Sequence, residues 1–330
     1  MKKTLCETAR AYLEGQELTD GQCRAVLGWF GGASLYFPGK EERRRALDAL
    51  AWLYENARRL PAEDAPKPDA CAARFAQAFD LPPERAEGLV DSYRRRQERR
   101  EPVIIGIEGL DGSGKTVQAE RLRGALEARG MRVRLIDFPQ YGSFFGREIG
   151  ALLAGKEGAS ALNLDEKSMC LWYALDRWKT VSGAGLEAYD CVIFNRYTLS
   201  NVVYQSARKY GGLNRPFADW IFELEHIQLG LPIPDIYLYL QTKAELSGAN
   251  VLKKEGREYT QGLDVYERSE DLLACCRRIY QELAVEIREI RVLDCLDESG
   301  RLKDVEEIGG AVLDCLEASG LLAPLEGKLS

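Results

Sequence analysis

A handful of residue types in one short stretch carry the first chemical signal. The apolar run Val103-Ile104-Ile105-Gly106-Ile107 is followed by Gly109, four further residues, and then Gly114-Lys115-Thr116. The run has the β-branched composition of a buried parallel strand, and the residues from Val117 to Arg129 read as a helix. Glycines at such a strand-to-helix junction let backbone N–H groups curl around phosphate oxygens, while the helix aims its N-terminus at the same anion. The pattern is a P-loop. Gly109, Gly112, Ser113, Gly114, Lys115 and Thr116 form the expected phosphate cradle. Lys115 would reach the β- and γ-phosphates, and the Thr116 hydroxyl would ligate Mg²⁺. The stretch implies a nucleoside triphosphate as ligand.

Further along the chain, residue types suited to a second ligand recur. Phe138-Pro139-Gln140-Tyr141-Gly142 reads as a rigid aromatic turn after a strand, a wall for a flat base or simply a loop with aromatics. Trp172-Tyr173-Ala174-Leu175-Asp176-Arg177-Trp178 lies on a predicted helix, where Tyr173 and Arg177 share a face at i and i+4. The pair suits a nucleoside monophosphate, with ring on base and guanidinium on phosphate, and equally suits a tyrosine packed under an arginine stem. Asn195-Arg196-Tyr197 closes a third strand, placing Arg196 as a phosphate clamp; Asn201, Tyr204 and Gln205 follow on the next helix, facing sugar and base edges. The stretch 253–261, KKEGREYTQ, reads as a polar lid carrying Arg257 toward the transferring phosphates. His226, the sole histidine, reads as structural.

Elements that must position these residues follow from the pattern. Strands are expected at 103–108, 132–138, 191–195, 236–240 and 289–294, alternating with helices at 115–129, 144–154, 163–182, 198–209, 214–227, 243–249, 269–288 and 304–318. This is an α/β class with a doubly wound, parallel five-stranded sheet flanked by helices, the P-loop NTPase fold, with ligands at the carboxyl ends of the strands. Residues 1–100 read as all helical, with helices at about 4–13, 19–30, 41–60, 69–79 and 82–100. They form an N-terminal extension of unassigned role, and Glu101-Pro102 makes the boundary with a second domain at 101–330. The basic run from Tyr93 to Arg100 reads as the solvated end of a helix rather than a nucleic-acid contact.

Composition narrows the class. The 330 residues carry a net charge of −7, unevenly spread. Residues 1–100 have 18 basic to 16 acidic side chains, whereas 101–330 have 27 to 36. An acidic body argues against nucleic acid as partner. No apolar run reaches membrane-spanning length, and nine scattered cysteines without C-x-x-C spacing point to reduced thiols in the cytoplasm.

Together these motifs bear a family likeness. From about Val103 to Glu317 the chain resembles the thymidylate kinases, P-loop nucleoside monophosphate kinases, through EGLDGSGKT, DFPQYG, YALDRW, NRYTLSNVVYQ, PDIYLYL and DVYE in that order. The resemblance implies phosphorylation of dTMP to dTDP by Mg-ATP in a homodimer. It implies Asp111 near the transferred phosphoryl group and Mg²⁺, Phe138 and Tyr173 on thymine, and Arg177 and Arg196 on the monophosphate. Asn201, Tyr204 and Gln205 would border sugar and base, and Glu267 would lie near acceptor and metal. Gly112 replaces an arginine of some members, which implies a catalytic arginine from the lid at about 248–263, Arg257 first and Arg268 in reserve. One departure stands out: the family has Asp-Arg-Tyr where this chain has Asn195-Arg196-Tyr197, which keeps a carbonyl acceptor and loses a charge. Other readings stay open at this point: a kinase for another nucleoside monophosphate or a deoxynucleoside, or a nucleotide-binding regulator with weakened turnover. The extension is open to a partner of its own.

Overall fold

Five short β-branched runs build one parallel sheet. They are β1 (Val103–Gly109), β2 (Val133–Asp137), β3 (Cys191–Asn195), β4 (Ile236–Gln241) and β5 (Ile290–Asp294), in spatial order β2-β3-β1-β4-β5. The computed structural model describes residues 4–32, 34–57, 70–96, 101–155, 160–243, 264–266 and 269–321. Every residue of β1 is buried, as expected for a central strand covered on both faces. Its side chains alternate: Val103, Ile105 and Ile107 join one core cluster and Ile104 the other. The first cluster is closed by α6 (Lys115–Ala128) and α12 (Val305–Ala318), through Leu122, Leu126, Ile308, Val312 and Leu316. On the other side of the molecule's main body, α9 (Thr198–Tyr210) packs against β1 and against α11 (Glu270–Glu286). The remaining body helices are α7 (Phe144–Ala154), α8 (Glu166–Ser182) and α10 (Arg215–Phe222). Among the described residues no helix is long and apolar enough to cross a membrane.

The alternation of strands and helices expected from the sequence is present, with informative differences. Strand β2 ends at Asp137, one residue before Phe138, whose peptide bond to Pro139 is cis. The single helix expected at 214–227 ends at Phe222 and continues as a π-helix over Glu223–Gln228. This wider turn buries three consecutive residues, Leu224, Glu225 and His226, and such turns recur near functional sites. The helix expected at 243–249 and the lid at 248–263 lie outside the described residues, Lys243 apart.

The chain divides into two compact units, residues 2–101 and 102–330. The first holds α1 (Leu5–Leu13), α2 (Asp20–Phe30), α3 (Lys40–Asn56), α4 (Ala70–Phe79) and α5 (Pro83–Arg96). Reciprocal capping boxes at Thr4 with Glu7 and Thr19 with Gln22 start α1 and α2. Trp52, Phe75 and Phe79 pack together, as do Trp29, Phe30 and Tyr93. The last turn of α5 carries Arg94, Arg95 and Arg96, where positive charge suits the helix dipole.

The sheet leaves no room beside its central strand. Gly106 is registered against Tyr237 of β4, and a Cβ there would approach the Tyr237 ring to 2.6 Å. Tyr237 is itself fully buried, so the ring has nowhere to retreat. Gly106→Ala should therefore destabilise this unit by about 1–3 kcal/mol, read as a lower urea midpoint; an unchanged midpoint would show that the ring gives way freely.

Candidate active site

At the carboxyl end of β1 the backbone folds into a phosphate-sized loop. Gly109 adopts φ +149°, and a Cβ there would meet Ser113 Oγ at 2.7 Å and the Leu240 carbonyl at 2.8 Å. Only glycine fits so close to a neighbouring strand. Helix α6 begins at Lys115 with Gly114 as its cap and no side chain capping it, so its first N–H groups face the loop without a side-chain acceptor. The Lys115 ammonium folds back over the loop and donates to the Leu110 carbonyl at 2.6 Å.

Beside the loop lies a charged cluster. Arg196 follows β3 with φ 64°, a left-handed conformation that costs energy for a non-glycine residue and marks a constrained position. Its N–H donates to the Ile107 carbonyl at 3.0 Å. Its guanidinium pairs with the Asp111 carboxylate and lies 5.5 Å from the centre of the Tyr204 ring. The Tyr204 hydroxyl donates to the other Asp111 oxygen at 3.0 Å. Burial pushes the Asp111 carboxyl up, but Arg196 and Lys115 outweigh it and hold it at about 2. Asp111 therefore stays ionised, and Arg196 stays charged.

Beneath Arg196 is Glu108, a fully buried acid at the end of β1. It accepts from the Tyr197 N–H at 2.9 Å, the Ser200 hydroxyl at 2.5 Å and the Tyr280 hydroxyl at 3.0 Å. Burial raises its pKa despite these bonds.

A second buried cluster lies along α8 and α9. The Arg177 guanidinium donates through Nε and Nη2 to Glu225 at 2.7 and 2.5 Å, with side chains only 3 % and 0 % exposed. Glu225 also accepts from Thr198 Oγ1 at 2.7 Å and Asn201 Nδ2 at 2.9 Å. Burial favours the neutral acid, yet Arg177 and these donors bring the Glu225 pKa below its ordinary value. Because Asn201 spends its amide N–H groups on Glu225 and the Cys170 carbonyl, its Oδ1 is left buried with no partner. One residue before Arg177, the buried Asp176 accepts from the Gln140 N–H at 2.9 Å and the Ser143 hydroxyl at 2.8 Å, which anchors the aromatic turn. Phe138 in that turn packs on Phe194 and Tyr197. His226 is buried, its Nδ1 3.0 Å from the Leu231 carbonyl, and burial lowers its pKa. This is a structural histidine.

These two clusters are the ends of one pocket of about 520 Å³, open mouth included. Asp111, Arg196 and Tyr204 line it near the P-loop; Tyr173, Arg177 and Asn201 line it from α8 and α9. Phe138, Tyr141 and Gln205 also reach it, as do Asp264 and Tyr266, which the sequence reading did not single out. Gln205 connects these walls, accepting from Arg208 Nε at 3.0 Å and pointing its amide nitrogen to Tyr266 Oη at 3.5 Å. Arg257, Glu267 and Arg268 lie outside the described residues. Glu108, Asp176 and Glu225 were missed too; an acid inside an apolar run was the available signal for Glu108 alone.

At the adjoining edge, Asn195 Nδ2 donates to Asp137 Oδ1 at 2.6 Å and to Thr116 Oγ1 at 3.2 Å. Its Oδ1 is buried and unpartnered.

Residues 107–304 match the sequence model of the thymidylate kinase family. The chain is 36 % identical over 188 residues to the thymidylate kinase of Mycobacterium tuberculosis, covering 56 % of this chain and 86 % of that one. It is 29 % identical over 144 residues to the human thymidylate kinase, covering 43 % and 62 %. The fold aligns with the thymidylate kinase of Candida albicans with a TM-score of 0.52 at 23 % identity, over 70 % of this chain and 97 % of that one. With a phosphate loop, a clamped arginine and a walled pocket in the matched region, the chain belongs to the thymidylate kinase family.

Proposed function

We propose that the protein transfers the γ-phosphoryl group of ATP to the 5′-phosphate of dTMP, giving ADP and dTDP. The observation that carries the base assignment is Asn201. Its amide is oriented by Glu225, which accepts only, so a carbonyl oxygen is left for a ring N–H donor. Arg177 retains Nη1 for a base carbonyl, since its other nitrogens are held by Glu225. Acceptor beside donor matches the N3–H and carbonyl edge of thymine, whereas cytosine in the same pose would face its N3 acceptor onto Asn201 Oδ1. Tyr173 supplies the stacking ring, and Pro139 and Leu153 an apolar wall for the methyl group. We therefore assign Arg177 to the base edge rather than to the monophosphate, because its charge is already matched in a fully buried pair.

The other end of the pocket suits phosphate. Arg196 and Asp111 are 18 % and 26 % exposed, accessible enough to exchange partners with an incoming monophosphate. Arg196 fixes the acceptor in line, while Lys115 and the α6 N-terminus hold the donor phosphates. Tyr204 and Gln205 border the sugar between them. Arg257, with Arg268 in reserve, is the lid arginine in this reading, and Glu267 completes the acceptor side. The residues at the strand edge fit Mg²⁺: every donor there is oxygen, and Asn195 Oδ1 is an orphaned acceptor. Thr116 would hold the ion, with Asp111 close by; when bound, it neutralises charge on the β- and γ-phosphates. The carboxylate oxygens of Asp111 already serve Arg196 and Tyr204, so its main part is to orient those two. The family match begins at residue 107, and the pocket residues run from 111 to 266. This supports residues 1–100 as an extension outside the chemistry; the homodimer of this reading rests on the family resemblance alone.

A nucleoside monophosphate panel with Mg-ATP tests the assignment. Saturable ADP release is expected with dTMP and not with dCMP; the reverse would overturn it. Lys115→Ala should lower kcat by at least about 10²-fold while dTMP affinity holds. Near-normal turnover of that variant would remove the P-loop from the reaction. A chain beginning near Arg99 should keep the full rate, and a large loss would assign residues 1–100 a catalytic part.

The buried pair makes a separate prediction. Glu225→Ala leaves Arg177 charged, buried and alone, which should cost about 3–5 kcal/mol in urea unfolding. It should also raise the KM for dTMP, because Arg177 and Asn201 lose their common anchor. An unchanged midpoint would mean that Arg177 reaches solvent without Glu225.

A further inference from the structure

Asn195 removes a negative charge where the strand end meets the phosphate loop, yet a carboxylate lies one strand away at the same height. Asp137 and Asn195 are directly registered partners at the carboxyl ends of β2 and β3, and Asn195 is in turn registered with Ile107 of β1. Asp137 is exposed at this edge, whereas Asn195 is only 7 % exposed. An ionised carboxylate accepts and never donates, so the 2.6 Å contact requires that Asn195 present its NH₂ group to Asp137. The same NH₂ group reaches Thr116 Oγ1 at 3.2 Å. The Asn195 carbonyl is thereby turned the other way, where Oδ1 is buried and has no protein partner. A buried acceptor without a donor is costly unless a ligand or its water satisfies it.

We infer that Asp137 is a positioning residue for the divalent cation of this kinase: it supplies the charge that β3 lacks and locks the Asn195 amide so that Oδ1 accepts from a cation-bound water next to Thr116. The inference rests on the phosphoryl-transfer reading for the nucleotide that brings the cation. Two adjacent residues divide what one acid does elsewhere. Asn195 gives the acceptor and Asp137 gives the charge and the orientation. Such outer partners commonly control cation affinity without touching the ion.

The test uses Mn²⁺ as probe, bound to the full-length protein with a non-hydrolysable β,γ-imido ATP analogue and followed by electron paramagnetic resonance. Asp137→Ala should weaken Mn²⁺ binding at least about tenfold, with thermal melting and cation-free affinity for the analogue unchanged. The exchanged double variant, D137N with N195D, returns a carboxylate to β3 and should recover most of that loss. A D137A affinity within about twofold of the parent overturns the inference, as does a double variant no tighter than D137A. The titration needs no dTMP turnover. A parent that binds Mn²⁺ with the analogue but fails to phosphorylate dTMP therefore leaves this inference standing and removes only the acceptor. A parent with no Mn²⁺-dependent binding removes both.

Discussion

Buried carboxylates are the constraint on which the rest of this site depends. An unpaired ionised acid in a protein interior costs several kcal/mol, so each must be met by donors in fixed places. The pocket is framed by two buried acids, Glu225 and Glu108, and by the half-buried Asp111. Glu225 gathers Arg177, Thr198 and Asn201, Glu108 gathers Tyr197, Ser200 and Tyr280, and Asp111 gathers Arg196 and Tyr204. Satisfying the acids sets the ligand-facing atoms. Asn201 cannot turn its amide without facing a carbonyl onto Glu225, and Arg196 leaves Asp111 only where another anion takes its place. The recognition geometry is therefore in place before any substrate arrives, which is how a phosphotransferase lowers its ordering cost.

The two ends of the pocket differ in how tightly the acids hold. Arg177 and Glu225 are closed from solvent and form a bidentate pair, the geometry in which an ion pair is least exchangeable. Arg196 and Asp111 remain partly open. A rigid edge suits a base that must be discriminated by hydrogen bonds. A looser pair suits a phosphate that must displace one partner on binding. In the proposed function the same ion-pair chemistry would serve specificity at one end and capture at the other, decided by burial.

How much of this was legible in the sequence depended on distance along the chain. The P-loop and the five strands are local signals, carried by glycine spacing and β-branched runs, and they place the sheet within a residue or so at most ends. Arg196, Asn201 and Tyr204 stand out because they cluster in one motif. Glu225 was invisible for the opposite reason: its partners Arg177 and Thr198 are 48 and 27 positions away, and a π-turn rather than α-helical periodicity aims it inward. Arg177 lines the pocket, but the charge that matches it could not be read from its own motif. Asp264 and Tyr266 belong to the DVYE stretch, where nothing local marks them as pocket-lining.

The exchange at the strand ends shows why a motif departure is weak grounds for lost function. Read along the chain, Asn195 is a missing acid. Across the sheet, parallel strands lie about 4.8 Å apart, so a residue at the same register on the next strand is within reach of the same cation shell. Asp137 occupies that position and touches Asn195 directly. That carboxylate fixes the Asn195 amide with its carbonyl buried and unpaired. The energetic cost of that orphaned oxygen is recovered only when something donates to it. The arrangement therefore fits a working kinase better than a nucleotide-binding remnant, with a carboxylate standing one strand sideways from the residue that lacks one.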